Sequence, residues 1–326
     1  MLQRRRIRTV ISLASAALAP ATLLSGCAAT ALPPVTAPHG GRLVVIDDFP
    51  SRHVSARRVV VWLPPGYDTG TADYPVLYMQ DGQNLFDPPR GLANAAWDID
   101  RHLIELVAAG RVRPAIVVGI WNSGLNRARE YGPAVAINSQ PAGVRDLIPG
   151  TTADGKKTTL SDQYLQFLVE ELKPAIDGRF RTRHGRADTM LMGSSMGGLI
   201  SLYALCTHPQ VFGAAACLST HWPISTNYPL LGPPIDARIV RVVQAWQDWL
   251  RANLPEPGAH RLYFDYGSLH LDRHYAPLQG QVDAIGAARG YRRNVDWVSR
   301  AFPGADHNEK SWNQRLHIPL TFLLAP

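Results

Sequence analysis

The stretch "TMLMGSSMGGL", residues 189–199, decides how the chain is read. A short apolar run leads into a glycine, two serines and more glycine, and a segment of helical period follows. Gly193-Ser194-Ser195-Met196-Gly197 fits G-x-S-x-G with Ser195 at its centre. Standing between strand and helix, the motif predicts a sharp turn that lifts one serine out of the sheet. Gly193 and Gly197 flank the serine because a β-carbon there would strike the turn or the next strand. The register makes Ser195 the candidate nucleophile and leaves Ser194 a neighbour. A phosphate-binding turn is a poorer reading: G-x-G-x-x-G does not fit and no Walker lysine follows.

Outward from the turn, short apolar runs alternate with longer amphipathic segments. "RRVVVWLPP" (57–65), "YPVLYMQDG" (74–82), "PAIVVGIWN" (114–122), "GAAACLST", "HRLYFDYGS" and "NVDWVSRAF" read as strands. Segments 98–110, 161–178 and "DARIVRVVQAWQDWLRAN" have helical spacing, as do "LQGQVDAIGAARG" and the last residues; Pro174 predicts a kink in the second. The alternation predicts an α/β domain, a mainly parallel sheet with helices on both faces. The polar segment 123–159 has no strong period and is expected to lie over the C-terminal edge of the sheet.

A lone serine is a poor nucleophile and needs a base. In this architecture the partners follow in the order Ser, acid, His. His307 stands in "FPGADHNEKSW", between the last strand and the last helix. His317 and His260 lie inside or ahead of regular elements and point less well. Asp272, in the loop "SLHLDRHY", is the candidate acid, and Asp265 on the preceding strand is expected to pair structurally. His270 and His274 have a spacing that suggests a zinc pair, but no H-E-x-x-H pattern or third ligand accompanies them, so no metal is assigned. An oxyanion needs two backbone donors: the N–H of Met196 and that of Gln83, in "DGQNLFD" after an early strand. Trp121, Tyr131 and Trp222 are candidate walls of a substrate pocket, or ordinary core aromatics. "NRAREYGP", with Arg127, Arg129 and Glu130, is either a polar substrate contact or a solvated loop.

The N-terminus reads separately. Residues 1–26 carry Arg4, Arg5, Arg6 and Arg8, then an apolar run broken by Pro20, then small residues up to Cys27. This is the layout of a secretory signal, and Leu24-Ser25-Gly26-Cys27 resembles a lipobox whose cysteine is acylated. A membrane-spanning anchor is the alternative, less suited to so short and interrupted a run. Residues 27–41 read as a Pro/Gly-rich tether and 42–326 as the folded domain. The signal holds four arginines and no acid, so its removal takes the net charge from +7 to +3. No dense basic cluster remains, and nucleic-acid binding has no footprint. Cys206 and Cys217, in apolar surroundings, read as buried free thiols.

With "YPVLYMQDGQNLFD", "LMGSSMGGL", "FDYGSLHLD" and "FPGADHNEKSW" together, the chain resembles the putative-esterase family of α/β-hydrolases over about residues 42–325. That family includes enterochelin esterases, esterase D, feruloyl esterase domains and mycolyltransferases. The resemblance implies an acyl-enzyme mechanism on Ser195, Asp272 and His307, with no metal and no organic cofactor. It implies a small-molecule, carbohydrate or siderophore ester as substrate, and a lipid-anchored place in the cell envelope follows from Cys27. Alternatives are an acyltransferase of the same fold and a non-catalytic envelope-binding lipoprotein. Two departures stand out. Relatives often place the acid nearer the glycine after its strand than Asp272 lies from Gly267, and "DGQN" replaces the His-Gly pair of many hydrolases.

Overall fold

The computed structural model describes residues 35–86, 95–145, 158–225 and 237–326. The signal segment 1–26 and Cys27 lie outside the described residues. Among the described residues nine strands form one sheet: β1 (Val35–Thr36), β2 (Arg42–Phe49), β3 (Arg57–Leu63), β4 (Val76–Gln80), β5 (Ile116–Ile120), β6 (Thr189–Ser194), β7 (Ala214–Leu218), β8 (Arg261–Tyr266) and β9 (Trp297–Ala301). Their order is β1-β2-β3-β5-β4-β6-β7-β8-β9. The first three strands join antiparallel and everything from β5 to β9 runs parallel. The expected α/β architecture is therefore present, with an antiparallel edge added.

Side-chain alternation divides the core in two. In β3, Val59, Val61 and Leu63 enter one apolar cluster and Val60 and Trp62 the other. Helices Met196–Thr207 and Ala237–Asn253 cover the first face; Ile99–Ala108 and His317–Leu324 cover the second. The central strands β4 to β7 are buried throughout. They have no polar face because both faces are covered, which is why they read as unbroken apolar runs.

Three local expectations change. The tether assigned to 27–41 ends earlier. Val35 and Thr36 pair with Leu43 and Arg42, the Trp62 indole donates to the Gly40 carbonyl at 2.8 Å, and the His39 N–H donates to Asp100 at 2.9 Å. Gly40 and Gly41 are needed for a tight turn at φ 129° and 78°, not for slack. Strand β2, unassigned from sequence, hides behind exposed Asp47 and Asp48 near an edge. The expected kink at Pro174 is a widened helix. Ser161–Gln166 continues into π-type hydrogen bonding over Phe167–Leu172 and resumes at Lys173–Arg179. Proline cannot return an N–H to the turn before it, and the ladder shifts by one to adapt. Segment 123–145 forms four short helical turns, starting with Gly124–Asn126 and Arg127–Tyr131. Cys206 and Cys217 are buried free thiols, as read. Among the described residues, no helix is long and apolar enough to cross a membrane.

Backbone contact sets the turn after β6. A β-carbon on Gly193 would lie 2.6 Å from the Gly197 carbonyl carbon and 3.0 Å from Gln80 Cγ. Gly193→Ala is therefore expected to cost about 2 kcal/mol or more of stability, in the range for overpacked cores. Urea unfolding checks it: an unchanged midpoint would mean that the turn is looser than its geometry.

Candidate active site

Ser195 sits between β6 and the helix Met196–Thr207 at φ 57°, ψ −123°, a backbone state that non-glycine residues rarely adopt. Its N–H donates to the Leu218 carbonyl at 2.9 Å, and its carbonyl accepts from His221 N–H at 3.1 Å. The turn is thus tied to the end of β7 and to the loop that follows it. Ser195 is half-buried, whereas Ser194 is buried as the last residue of β6. The first N–H groups of the helix, beginning with Met196, have no carbonyl one turn back inside the helix, and those of Gly198 and Leu199 donate to the Ser195 carbonyl.

The structure brings Asp272 and His307 together. His307 Nδ1 lies 2.6 Å from Asp272 Oδ1. A carboxylate here only accepts, so Nδ1 carries a proton, and in that tautomer the lone pair lies on Nε2. The ring stands edge-on between Tyr275 (5.7 Å between centroids) and Trp312 (5.1 Å). His307 immediately precedes Asn308, whose side chain caps the helix Glu309–Arg315 by accepting from Ser311 N–H. Asp272 itself is fully buried. Burial favours its neutral form, but hydrogen bonds from His307, Ser219 Oγ (2.6 Å) and Gly267 N–H (2.6 Å) outweigh that and lower its pKa. The bond to Gly267 resolves the long spacing: the loop folds back, so the carboxylate ends beside the glycine after all. A β-carbon on Gly267 would meet Ala305 O at 2.2 Å and Asp272 Oδ2 at 2.9 Å.

Asp265 has the structural role expected of it. It is fully buried, pairs with Arg315 at 2.9 Å and accepts from Tyr263 Oη at 3.1 Å. Arg315 and the Trp312 indole also donate to Ser219 Oγ, each at 3.0 Å, so one hydroxyl links both buried carboxylates. Sequence reasoning missed Ser219; its signal was a polar residue directly following a strand beside the nucleophile turn.

Gln83 belongs to a single helical turn, Gly82–Asn84, after β4. Gly82 is pressed against β5, where a β-carbon would lie 2.4 Å from the Gly119 carbonyl carbon. The side chain of Gln83 accepts from Asn122 N–H at 3.3 Å. The three aromatic candidates divide between the two readings given to them. Tyr131 and Trp222 are buried core residues, against Tyr164 and Phe264 respectively, with polar atoms turned to Asp81 N–H and Gln279. Only Trp121 is partly exposed, and Arg58 stacks on its ring at 5.0 Å. Large rings packed in this way serve the fold before any substrate. In "NRAREYGP", Glu130 forms a buried ion pair with Arg57 at 2.8 Å, and Arg129 is buried and donates to the Thr158 carbonyl. Arg127 alone stays partly exposed and binds Asp81. His270 pairs with Asp306 at 2.9 Å, and no cluster of metal-ligating side chains is present among the described residues.

His221 was not foreseen. It is buried beside Ser195, with Nε2 2.8 Å from the Ser225 carbonyl and Nδ1 2.7 Å from Tyr275 Oη. The carbonyl fixes the proton on Nε2, so Nδ1 accepts from tyrosine. Burial, reinforced by the charges of His307 and Arg127, pushes its pKa down to about 4. An unfolded histidine near 6.5 binds the proton first, so stability is complete above that pH and falls as the pH drops toward 4. His221→Gln is expected to remove a component on the order of 3 kcal/mol from the acid-side loss. Chemical unfolding between pH 7 and 4 tests this, and parallel curves for both proteins would contradict a neutral buried imidazole.

The chain is similar to several known proteins. YbbA of Bacillus subtilis is 29% identical over 167 residues, 51% of this chain and 58% of its own. An endo-1,4-beta-xylanase/feruloyl esterase of Xylanibacter ruminicola is 29% identical over 178 residues, 52% of this chain and 20% of its own. The siderophore triacetylfusarinine C esterase of Aspergillus fumigatus is 30% identical over 145 residues, 44% and 43%. The matched part thus spans less than two thirds of each of these relatives. Among solved structures, an IroE-like serine hydrolase from Shewanella oneidensis superposes with a TM-score of 0.57 at 20% identity, covering 87% of this chain and 80% of that one. The enterobactin esterase of Shigella flexneri gives 0.58 at 16% identity, covering 89% and 60%. These likenesses establish the α/β-hydrolase fold. The family described as Putative esterase matches residues 52–322, nearly the whole described domain, and the chain belongs to it.

Proposed function

We propose that this protein is a serine carboxylic-ester hydrolase. Ser195 attacks the ester carbonyl, His307 takes its proton through Nε2, and Asp272 holds the imidazole and stabilises its charged form. The N–H groups of Met196 and Gln83 receive the oxyanion. His307 then protonates the leaving alcohol, and water releases the acid from the acyl-enzyme. The observation that carries this reading is the 2.6 Å bond between His307 Nδ1 and a buried Asp272 held ionised by further donors. It supplies what a serine on a strained turn lacks, a base of fixed tautomer.

Relatives named as feruloyl and siderophore esterases support aromatic-acyl or siderophore esters as the substrate class. The lipobox-like Leu24-Ser25-Gly26-Cys27 supports anchoring in the cell envelope through an acylated Cys27.

Ser195→Ala is expected to abolish hydrolysis of short p-nitrophenyl esters, while Ser194→Ala keeps most of it. Activity surviving in the first variant would remove Ser195 as nucleophile. Asp272→Asn is expected to lower kcat by about 10⁴, because the amide holds the wrong tautomer. If Asp265→Asn has that effect instead, the acid has been misassigned. Product analysis with an added alcohol separates hydrolysis from acyl transfer.

A further inference from the structure

The ester-hydrolase reading, on which any role for Arg127 in the reaction rests, leaves one charge to explain. Asp81 ends the turn between β4 and Gln83, at φ 55°, ψ 49°. Its Oδ2 lies 3.2 Å from the point a β-carbon of Gly197 would occupy. Gly197 follows Met196 in the first turn of its helix, and Gln83 is two residues past Asp81. A carboxylate therefore stands against the first turn of the helix that carries the Met196 donor and two residues from Gln83, the other donor assigned to the oxyanion. Unopposed, its field would cancel what those donors provide, since like charges this close repel strongly where water is scarce.

The countercharge is in place. Arg127 grips the carboxylate with both arms, Nε to Oδ1 and Nη2 to Oδ2, each at 2.7 Å, and Asn122 Nδ2 adds a third donor at 2.7 Å. The Asp81 side chain is 9% exposed and that of Arg127 28%, so solvent screens the pair only in part. The Tyr131 ring stacks under the guanidinium at 5.1 Å, and its hydroxyl accepts from Asp81 N–H at 3.3 Å. Burial works against the guanidinium charge, but Asp81 outweighs it, so Arg127 stays charged at any working pH. Of the charged residues in "NRARE", this is the one side chain directed to the site's edge; Arg129 and Glu130 are committed to the interior.

We propose that Arg127 is a positioning residue for the reaction: its guanidinium neutralises the Asp81 carboxylate beside the oxyanion and clamps the turn that presents the Gln83 N–H. The pair behaves as one neutral unit. Losing the arginine exposes a negative charge to the transition state, whereas losing both charges does not. This separates an electrostatic role from a merely structural one, in which removing the second partner only compounds the damage.

The test is a double-mutant cycle on p-nitrophenyl acetate hydrolysis, with kcat and KM measured for the parent, Arg127→Met, Asp81→Asn and the double variant. Arg127→Met is expected to lower kcat about a hundredfold, as loss of one oxyanion donor does, with KM changed far less. The double variant is expected to run about tenfold or more faster than Arg127→Met. Phenylboronic acid, which forms an anionic tetrahedral adduct on a serine, is expected to lose affinity for Arg127→Met in parallel with kcat/KM. Arg127→Lys keeps the charge without the bidentate grip and is expected to remain within about tenfold of the parent, which keeps the test open if the methionine variant does not fold. A double variant no faster than Arg127→Met, or Arg127→Lys as slow as Ser195→Ala, overturns the proposal. Ser195→Ala, run alongside, judges the underlying reading by itself: if it stays active, the esterase assignment fails whatever Arg127 does.

Discussion

Gly193 and Gly197 approach each other closely across Ser195. A β-carbon on Gly193 would strike the Gly197 backbone, and one on Gly197 would crowd Gln80 of β4 and the Asp81 carboxylate. Between them Ser195 stands at positive φ, and the chain passes from strand to helix within one residue. The surrounding structure over-determines the strain: Ser195 N–H is held by Leu218, and Gly198 lies against Cys217 and Thr220 of the next strand and its loop. A turn so constrained presents its side chain without an ordering cost at the moment of reaction.

The same edge of the sheet concentrates further strain. Asp81 after β4, Ser219 after β7 and His270 after β8 are also non-glycine residues at positive φ. Parallel strands end together at one edge, and the loops that leave them must turn at once into helices on either face. The chain uses those turns to aim polar groups inward. Ser219 bridges Asp272 to the Arg315–Asp265 pair, and His221, two residues on, packs neutral against Tyr275. Each of these polar side chains has a partner, as a buried network requires.

Much of this was legible in the order of residues. Periodicity located the parallel strands, because strands covered on both faces must be apolar without alternation. The G-x-S-x-G register separated Ser195 from Ser194, and chain order pointed to Asp272 and His307. The misreadings share a cause. Gly40-Gly41 read as slack because composition cannot tell a loose glycine from one required at positive φ against Trp62. Tyr131 and Trp222 stayed open between pocket wall and core because an aromatic near a strand end is equally suited to either, and packing puts both in the core. Ser219 and His221 were passed over because a buried polar residue acquires meaning only from partners distant in sequence.

The sequence by itself determined the parallel part of the sheet, its apolar faces, the glycine-bounded turn and the candidate Ser-Asp-His set, all of which depend on local pattern and spacing. Tertiary structure decided the rest. It brought Asp272 back to Gly267 across a loop that looked too long, and set the Asp81–Arg127 pair beside the helix that follows Ser195. It also turned Arg129 and Glu130 inward while leaving Arg127 at the edge. The physical reason is range: dihedral preference and hydrophobic period act over a few residues. Which charges meet depends on contacts 35 residues apart, as for Asp272 and His307, or 46 apart, as for Asp81 and Arg127.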